Sequence, residues 1–140
     1  MAETLFSRII SGEIPGTFVY RDDLCAAFMT ISPITTGHLL LVPISEFDEW
    51  TDLPNSLITH MFVVAKNISI AQKSVFNCQR VAVIIAGYEI PHCHLHLIPT
   101  NSMADLSFDN AQIQNDRNEL EKSASLIISE LRRMDIAGSL

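Results

Sequence analysis

Positive charge is scarce in this 140-residue chain: nine lysines and arginines stand against sixteen aspartates and glutamates, a formal net charge of −7. A surface this acidic repels a phosphate backbone, and no Lys/Arg cluster offsets it, so DNA and RNA polymers are not expected partners. A small anion is not excluded, because a local pocket can be positive on an acidic protein. Long apolar runs are also missing. The longest, such as residues 81–86, fall far short of the roughly 20 residues that a membrane-spanning helix needs. The Met1-Ala2-Glu3-Thr4 start has neither the basic residues nor the apolar stretch of a secretory signal. Only three cysteines occur, Cys25, Cys78 and Cys93, and their scattered spacing argues against a disulfide framework and for a reducing, cytoplasmic setting. No internal repeat or low-complexity stretch interrupts the chain. What remains is 48% hydrophobic and 18% charged, a composition able to bury a core in a single domain over residues 1–140.

A short helix is expected over Leu5, Phe6, Ile9 and Ile10, capped by Thr4 and ended by Ser11-Gly12, with a turn at Pro15-Gly16. Strand-like runs follow at 18–21, 25–29 and 38–42; Asp22-Asp23 parts the first two, and a longer loop at 33–37 leads into the third. From Asn55 to Val75 the apolar period becomes helical. Leu57, Met61, Val64, Ile68 and Val75 form one stripe, flanked by Ile58, Phe62 and Ala65, with Asp52 as the expected N-cap and Pro54 in the first turn. Strands at 80–86 and 93–98 come next, joined by a segment, 87–91, short enough for a tight antiparallel hairpin. A polar surface loop is expected over 100–115. A second long helix then runs from 116 to 134, buried along Leu120, Ala124, Ile127, Leu131 and Met134, with Asp116 and Glu119 as a capping box. Strands grouped apart from helices predict an α+β protein with an antiparallel sheet.

The chemistry concentrates in His92-Cys93-His94-Leu95-His96. At five histidines in 140 residues, three at alternate positions are expected by chance only ~0.006 times. Alternate side chains of a strand share a face, so the three imidazoles point one way while Cys93, Leu95 and Leu97 point the other, toward the helices. Two chemistries use such a face. Three imidazoles can chelate zinc and leave a position for water, or one can attack phosphorus while its neighbours stabilise the oxygens. Spacing alone leaves both open. His60, between apolar helix residues, reads as an ordinary surface or half-buried side chain.

The run continued to Ile98 has the form His-φ-His-φ-His-φ-φ, which resembles the signature of the histidine triad superfamily. So do Leu5-Phe6-Ser7-Arg8-Ile9-Ile10-Ser11-Gly12-Glu13-Ile14-Pro15, then Phe28-Met29-Thr30-Ile31-Ser32-Pro33, Gly37-His38 and Leu41-Val42-Pro43, and finally Gly87-Tyr88-Glu89-Ile90-Pro91 leading into the triad. The resemblance covers about residues 4–99. It implies a five-stranded antiparallel sheet with two main helices. It also implies, as in the Hint-like branch, nucleotidyl hydrolysis or transfer at the α-phosphate of a nucleoside phosphoramidate, dinucleoside polyphosphate or related ester.

By resemblance His94 is the nucleophile, His92 and His96 lie beside the non-bridging oxygens, and His38 matches the family's fourth histidine. Glu89 stands near the leaving group, as a candidate to protonate it or orient water. Leu5, Phe6, Phe28 and Ile31 would line the base pocket, and Thr30 occupies the ribose-contacting position. A small nucleotide and a second copy of the chain are the implied partners, without a cofactor. A binding or sensing module with little turnover, and a metal-dependent hydrolase using the triad as ligands, are the alternatives.

Several positions depart from the family pattern. Many relatives hold a structural zinc through an N-terminal Cys-x-x-Cys and a later histidine; Thr4, Ser7 and Glu46 stand at those places here, so no metal is expected. Thr30 replaces an acidic residue, Val81-Ala82-Val83 an Asn-x-Gly, Tyr88 a Gln and Thr100 an Arg. A complete catalytic run thus sits inside an altered recognition shell.

Overall fold

A computed structural model describes residues 3–111 and 116–140. The first two residues of the chain and the end of the expected 100–115 loop, residues 112–115, lie outside the described residues. The elements are α1 (Leu5–Ile10), β1 (Phe18–Arg21), β2 (Cys25–Met29), β3 (Leu39–Pro43), α2 (Asn55–Phe76), β4 (Arg80–Ile84), β5 (Leu95–Thr100) and α3 (Arg117–Arg133). The strands form one antiparallel sheet in the order β1-β2-β3-β5-β4. This is the expected α+β architecture of five strands and two long helices, with α1 as a short third.

Both faces of the sheet are covered, which is why β2 and β3 are unbroken apolar runs buried at every position. On one face α2 and α3 supply Met61, Ile68, Ile127 and Leu131 against Cys93, Leu95 and Leu97. Each fully buried aliphatic side chain there contributes about 1.5–3 kcal/mol. On the other face α1 lays Phe6 and Ile10 over Phe28, Leu40 and Val42. The second, smaller core is the one that carries the histidines. Gln72 of α2 links the helix layer to the strands, its buried Nε2 donating to the carbonyls of Gly37 and Leu97, each at 3.0 Å. Among the described residues no helix is long and apolar enough to cross a membrane.

Four boundaries differ from those expected. β3 begins at Leu39 because His38 closes the preceding turn: its amide donates to Thr35 O, and its ring Nδ1 accepts from the Ile34 amide at 3.0 Å. β4 and β5 are not a tight hairpin. Their ladder ends at the Ile84–His96 pair, and residues 85–94 leave the sheet because the Cys93 amide bonds to Phe47 O and the His92 amide to Ile90 O. His92 and His94 therefore lie in the chain entering β5 rather than within it. Asp52 does not cap α2; it ends a separate 3₁₀ turn, Trp50–Asp52, and Pro54 precedes the first helical residue. The start of the expected polar loop is structured too, as turns at Met103–Leu106 and Phe108–Asn110, the former closed by a Ser102–Asp105 capping box. Asp116 does cap α3, accepting from the Asn118 amide.

Candidate active site

His94 is oriented by its own neighbour in the chain. Its Nδ1 lies 2.8 Å from the carbonyl of His92. A carbonyl can only accept, so Nδ1 carries a proton, and the tautomer this bond selects has its lone pair on Nε2. Such a lone pair is what an imidazole nucleophile needs.

His96 takes its orientation from His38, with His38 Nε2 2.9 Å from His96 Nδ1. His38 Nδ1 already accepts the Ile34 amide proton. Its own proton is therefore on Nε2 and points at His96, which must carry its proton on Nε2. The result is a donor on His96 beside a lone pair on His94, with ring centroids 5.0 Å apart. Burial, with the charge of His96 second, pushes His38 down to about 3; burial, with His94 second, pushes His96 down to about 4. Both rings are neutral at pH 7, as the assigned donors and acceptors require.

His92 has a different place from the one the resemblance implies. Its Nε2 donates to the Pro43 carbonyl at 2.8 Å, and its Nδ1 lies 2.6 Å from Thr4 Oγ1. Both nitrogens are occupied by protein and the residue has no exposure. It therefore cannot bond a phosphate oxygen and is a positioning residue. Burial lowers its pKa, partly opposed by the Pro43 carbonyl and Glu46. With no free nitrogen on His92, the triad also cannot present three ligands to one ion.

The predicted common face is observed, but it is roofed rather than open to solvent. Phe6 of α1 meets the His92 ring edge-on at 5.7 Å and the His94 ring at 5.0 Å. Phe28 stands behind Phe6 at 5.6 Å. At the other end Phe108 meets His96 at 5.2 Å. Among the residues assigned to a base pocket, Phe6 and Phe28 are buried in this second core, whereas Leu5 and Ile31 are exposed. Thr30 uses its hydroxyl to accept from the Ser32 amide, closing a local turn. Glu89 is exposed, and no hydrogen bond among the described residues links it to the imidazoles.

Thr4, Pro43 and Phe108 were not legible as site residues. They contact the histidines across 88, 49 and 12 positions of chain, and no local pattern reveals those contacts.

Thr4, Ser7 and Glu46, at the places of the family's zinc ligands, are committed to one another. Glu46 Oε1 accepts from the Thr4 amide at 2.8 Å and the Ser7 hydroxyl at 2.7 Å, and Thr4 Oγ1 accepts from the Ser7 amide at 3.1 Å. Two hydroxyls and one carboxylate, with no thiolate, do not fit a structural zinc.

Among the described residues, Asp22, Cys25 and His60 do have metal-like spacing. His60 is half-buried, one of the two expected placements, and its Nε2 lies 2.7 Å from Asp22 Oδ2. Burial opposes ionisation of Asp22, but bonds from Tyr20, Cys25, Leu24 and His60 hold its carboxyl down to about 2. The cluster is already saturated by these donors, and Tyr20 and Cys25 belong to the core under α2 and α3, away from the triad.

Residues 11–103 match the model of the HIT domain family. A HIT-like protein of Borreliella burgdorferi is 31% identical over 136 residues, covering 92% of this chain and 98% of that protein. Adenosine 5'-monophosphoramidase HNT1 of Saccharomyces cerevisiae is 32% identical over 99 residues, 70% of this chain and 63% of that protein. The crystal structure of a zinc-bound histidine triad family protein from Mycobacterium smegmatis superposes with a TM-score of 0.81 at 27% identity, covering 95% of this chain and 96% of that one.

Proposed function

The chain belongs to the histidine triad (HIT) family, and from that premise we propose that it hydrolyses or transfers a nucleotidyl group at an α-phosphate through a covalent intermediate on His94. The observation that carries this reading is the pairing of tautomers: a lone pair on His94 Nε2 beside a proton on His96 Nε2. His94 Nε2 forms a bond to phosphorus while the bond to the leaving group breaks; that group departs with the electron pair and takes up a proton from solvent. The imidazole becomes cationic, and its Nδ1–H bond to the His92 carbonyl strengthens accordingly. His96 Nε2–H donates to a non-bridging oxygen as charge develops there. Water then attacks phosphorus and gives up a proton to solvent, the P–N bond breaks with its electron pair returning to Nε2, and the neutral ring is restored.

A nucleoside phosphoramidate is the substrate class this reading favours, by likeness to the yeast monophosphoramidase. The test is release of nucleotide from an adenosine phosphoramidate by the wild-type protein and by His94→Ala. The variant is expected to lose activity by orders of magnitude, and unchanged turnover refutes the mechanism.

One observation favours a second reading, a binding module with little turnover: Tyr88, in place of the family's Gln, is 97% exposed. Calorimetry showing tight binding of nucleoside monophosphates with no hydrolysis across a substrate panel would establish it instead. We also propose a homodimer in a reducing, cytoplasmic compartment. β4 is an edge strand, Val83 on it and Phe62, Val63 and Ile70 on α2 are exposed, and all three cysteines are free. Sedimentation as a monomer at micromolar concentration refutes the dimer.

A further inference from the structure

Residue 92 is held at three points, and one of them reaches out of the sheet. Its amide donates to Ile90 O at 2.8 Å, its ring Nε2 donates to the last residue of β3, and its ring Nδ1 faces the N-cap hydroxyl of α1 at 2.6 Å. Proton bookkeeping decides the direction of that last contact. Pro43 O can only accept, so the ring proton is on Nε2; in the neutral ring Nδ1 is then an acceptor, and Thr4 must donate. A hydroxyl has one proton, and Ser7 Oγ, at 3.3 Å from Thr4 Oγ1, is the more distant acceptor. Thr4 thus gives its proton to His92, receives one from the Ser7 amide, and is held in place from behind by Glu46.

We infer that Thr4 is a positioning residue of the active site, and that the hydrogen-bonded chain Glu46–Thr4/Ser7–His92 seats α1 on the triad without a metal. The consequence passes to the nucleophile by two routes. The carbonyl that orients His94 belongs to His92, and the helix that Thr4 caps carries Phe6 against the His94 ring. A shift of α1 would therefore move both the hydrogen-bond acceptor and the wall of the nucleophile. The catalytic half of this inference rests on the function proposed above; the tautomer and anchoring half does not.

The experiment uses the full-length protein with nitrogen-15-labelled histidine, whose spectrum separates protonated from lone-pair ring nitrogens. His92→Gln assigns its signals. In the wild type, His92 is expected as a neutral ring with its proton on Nε2. Thr4→Val keeps the shape but removes the donor, so His92 should lose that single tautomer and kcat should fall about tenfold, with KM little changed. Thr4→Ser restores the donor and is expected to keep both the signal and a kcat within about twofold of wild type. If Thr4→Val does not fold, Glu46→Ala, at an exposed side chain, substitutes for it; a broadened His92 signal with kcat lowered about two- to threefold supports the inference.

Wild-type signals and kcat in Thr4→Val, or in Glu46→Ala where that variant carries the test, overturn it. So does one equivalent of zinc that binds, raises Tm and is stripped by chelator. The expected His92 tautomer in a wild-type protein that turns over no nucleotide leaves the anchor standing and refutes the proposed function instead.

Discussion

Acid should destabilise this protein well above the range where carboxylates titrate. His38 is folded with a pKa pushed down to about 3 and His96 with one at about 4, whereas both titrate near 6.5 in the unfolded chain. Between those limits the unfolded state binds more protons, so stability rises with pH; it is fully present above about 6.5 and is lost as pH falls toward the folded values. At pH 5 the unfolded ring gains about 1.5 units of protonation free energy that the folded ring does not, or about 2 kcal/mol for His38. The less buried His96 adds up to a similar amount. Urea unfolding at pH 7.5, 6.5, 5.5 and 5 should therefore show a loss of about 2–4 kcal/mol over the series, with an unchanged m-value. His38→Gln should start less stable, because the buried Ile34 amide and the half-buried His96 ring lose their bonds, yet fall by about 2 kcal/mol less between pH 7.5 and 5. A wild-type curve that is flat across this range, or identical slopes in the two proteins, would refute the neutral cluster on which the site's tautomers depend.

Two further outcomes follow from particular residues. Gly37 has φ +91°, and a Cβ there would lie 2.3 Å from Phe76 Cε2; Gly37→Ala should cost about 2 kcal/mol or more in urea unfolding, and a cost below about 0.5 kcal/mol would contradict the packing of the turn before His38. Glu89→Gln should change kcat/KM by less than about threefold, since a general acid is typically worth 10²–10⁴-fold and Glu89 stays in solvent; a loss of about a hundredfold together with one limb of the pH profile would return it to the mechanism.

Much of the molecule was legible in one dimension. Apolar periods of 3.6 and 2 reflect which face of an element is buried, so the stripe Met61–Val64–Ile68, the alternation of His94 and His96 with Cys93, Leu95 and Leu97, and the capping of α1 and α3 could be read from neighbouring residues. The run of three histidines marked the candidate site for the same reason, because a strand-like backbone shows alternate residues on one face, although its spacing left two chemistries open. Strand ends were less legible. His38 and His92–Cys93 leave the ladder to make bonds with Ile34, Thr35, Ile90 and Phe47, partners chosen by the fold.

The division of labour within the triad was not in the sequence at all. His92 became an anchored spacer and His96 a donor only when Thr4, Pro43 and His38 arrived beside them from elsewhere in the chain, while His94 takes its tautomer from the carbonyl of His92 that the folded backbone turns toward it. A histidine's tautomer is set by what its second nitrogen touches, and that contact exists only in three dimensions. The sequence by itself determined that imidazoles would share a face; the tertiary structure decided which of their nitrogens keeps a lone pair.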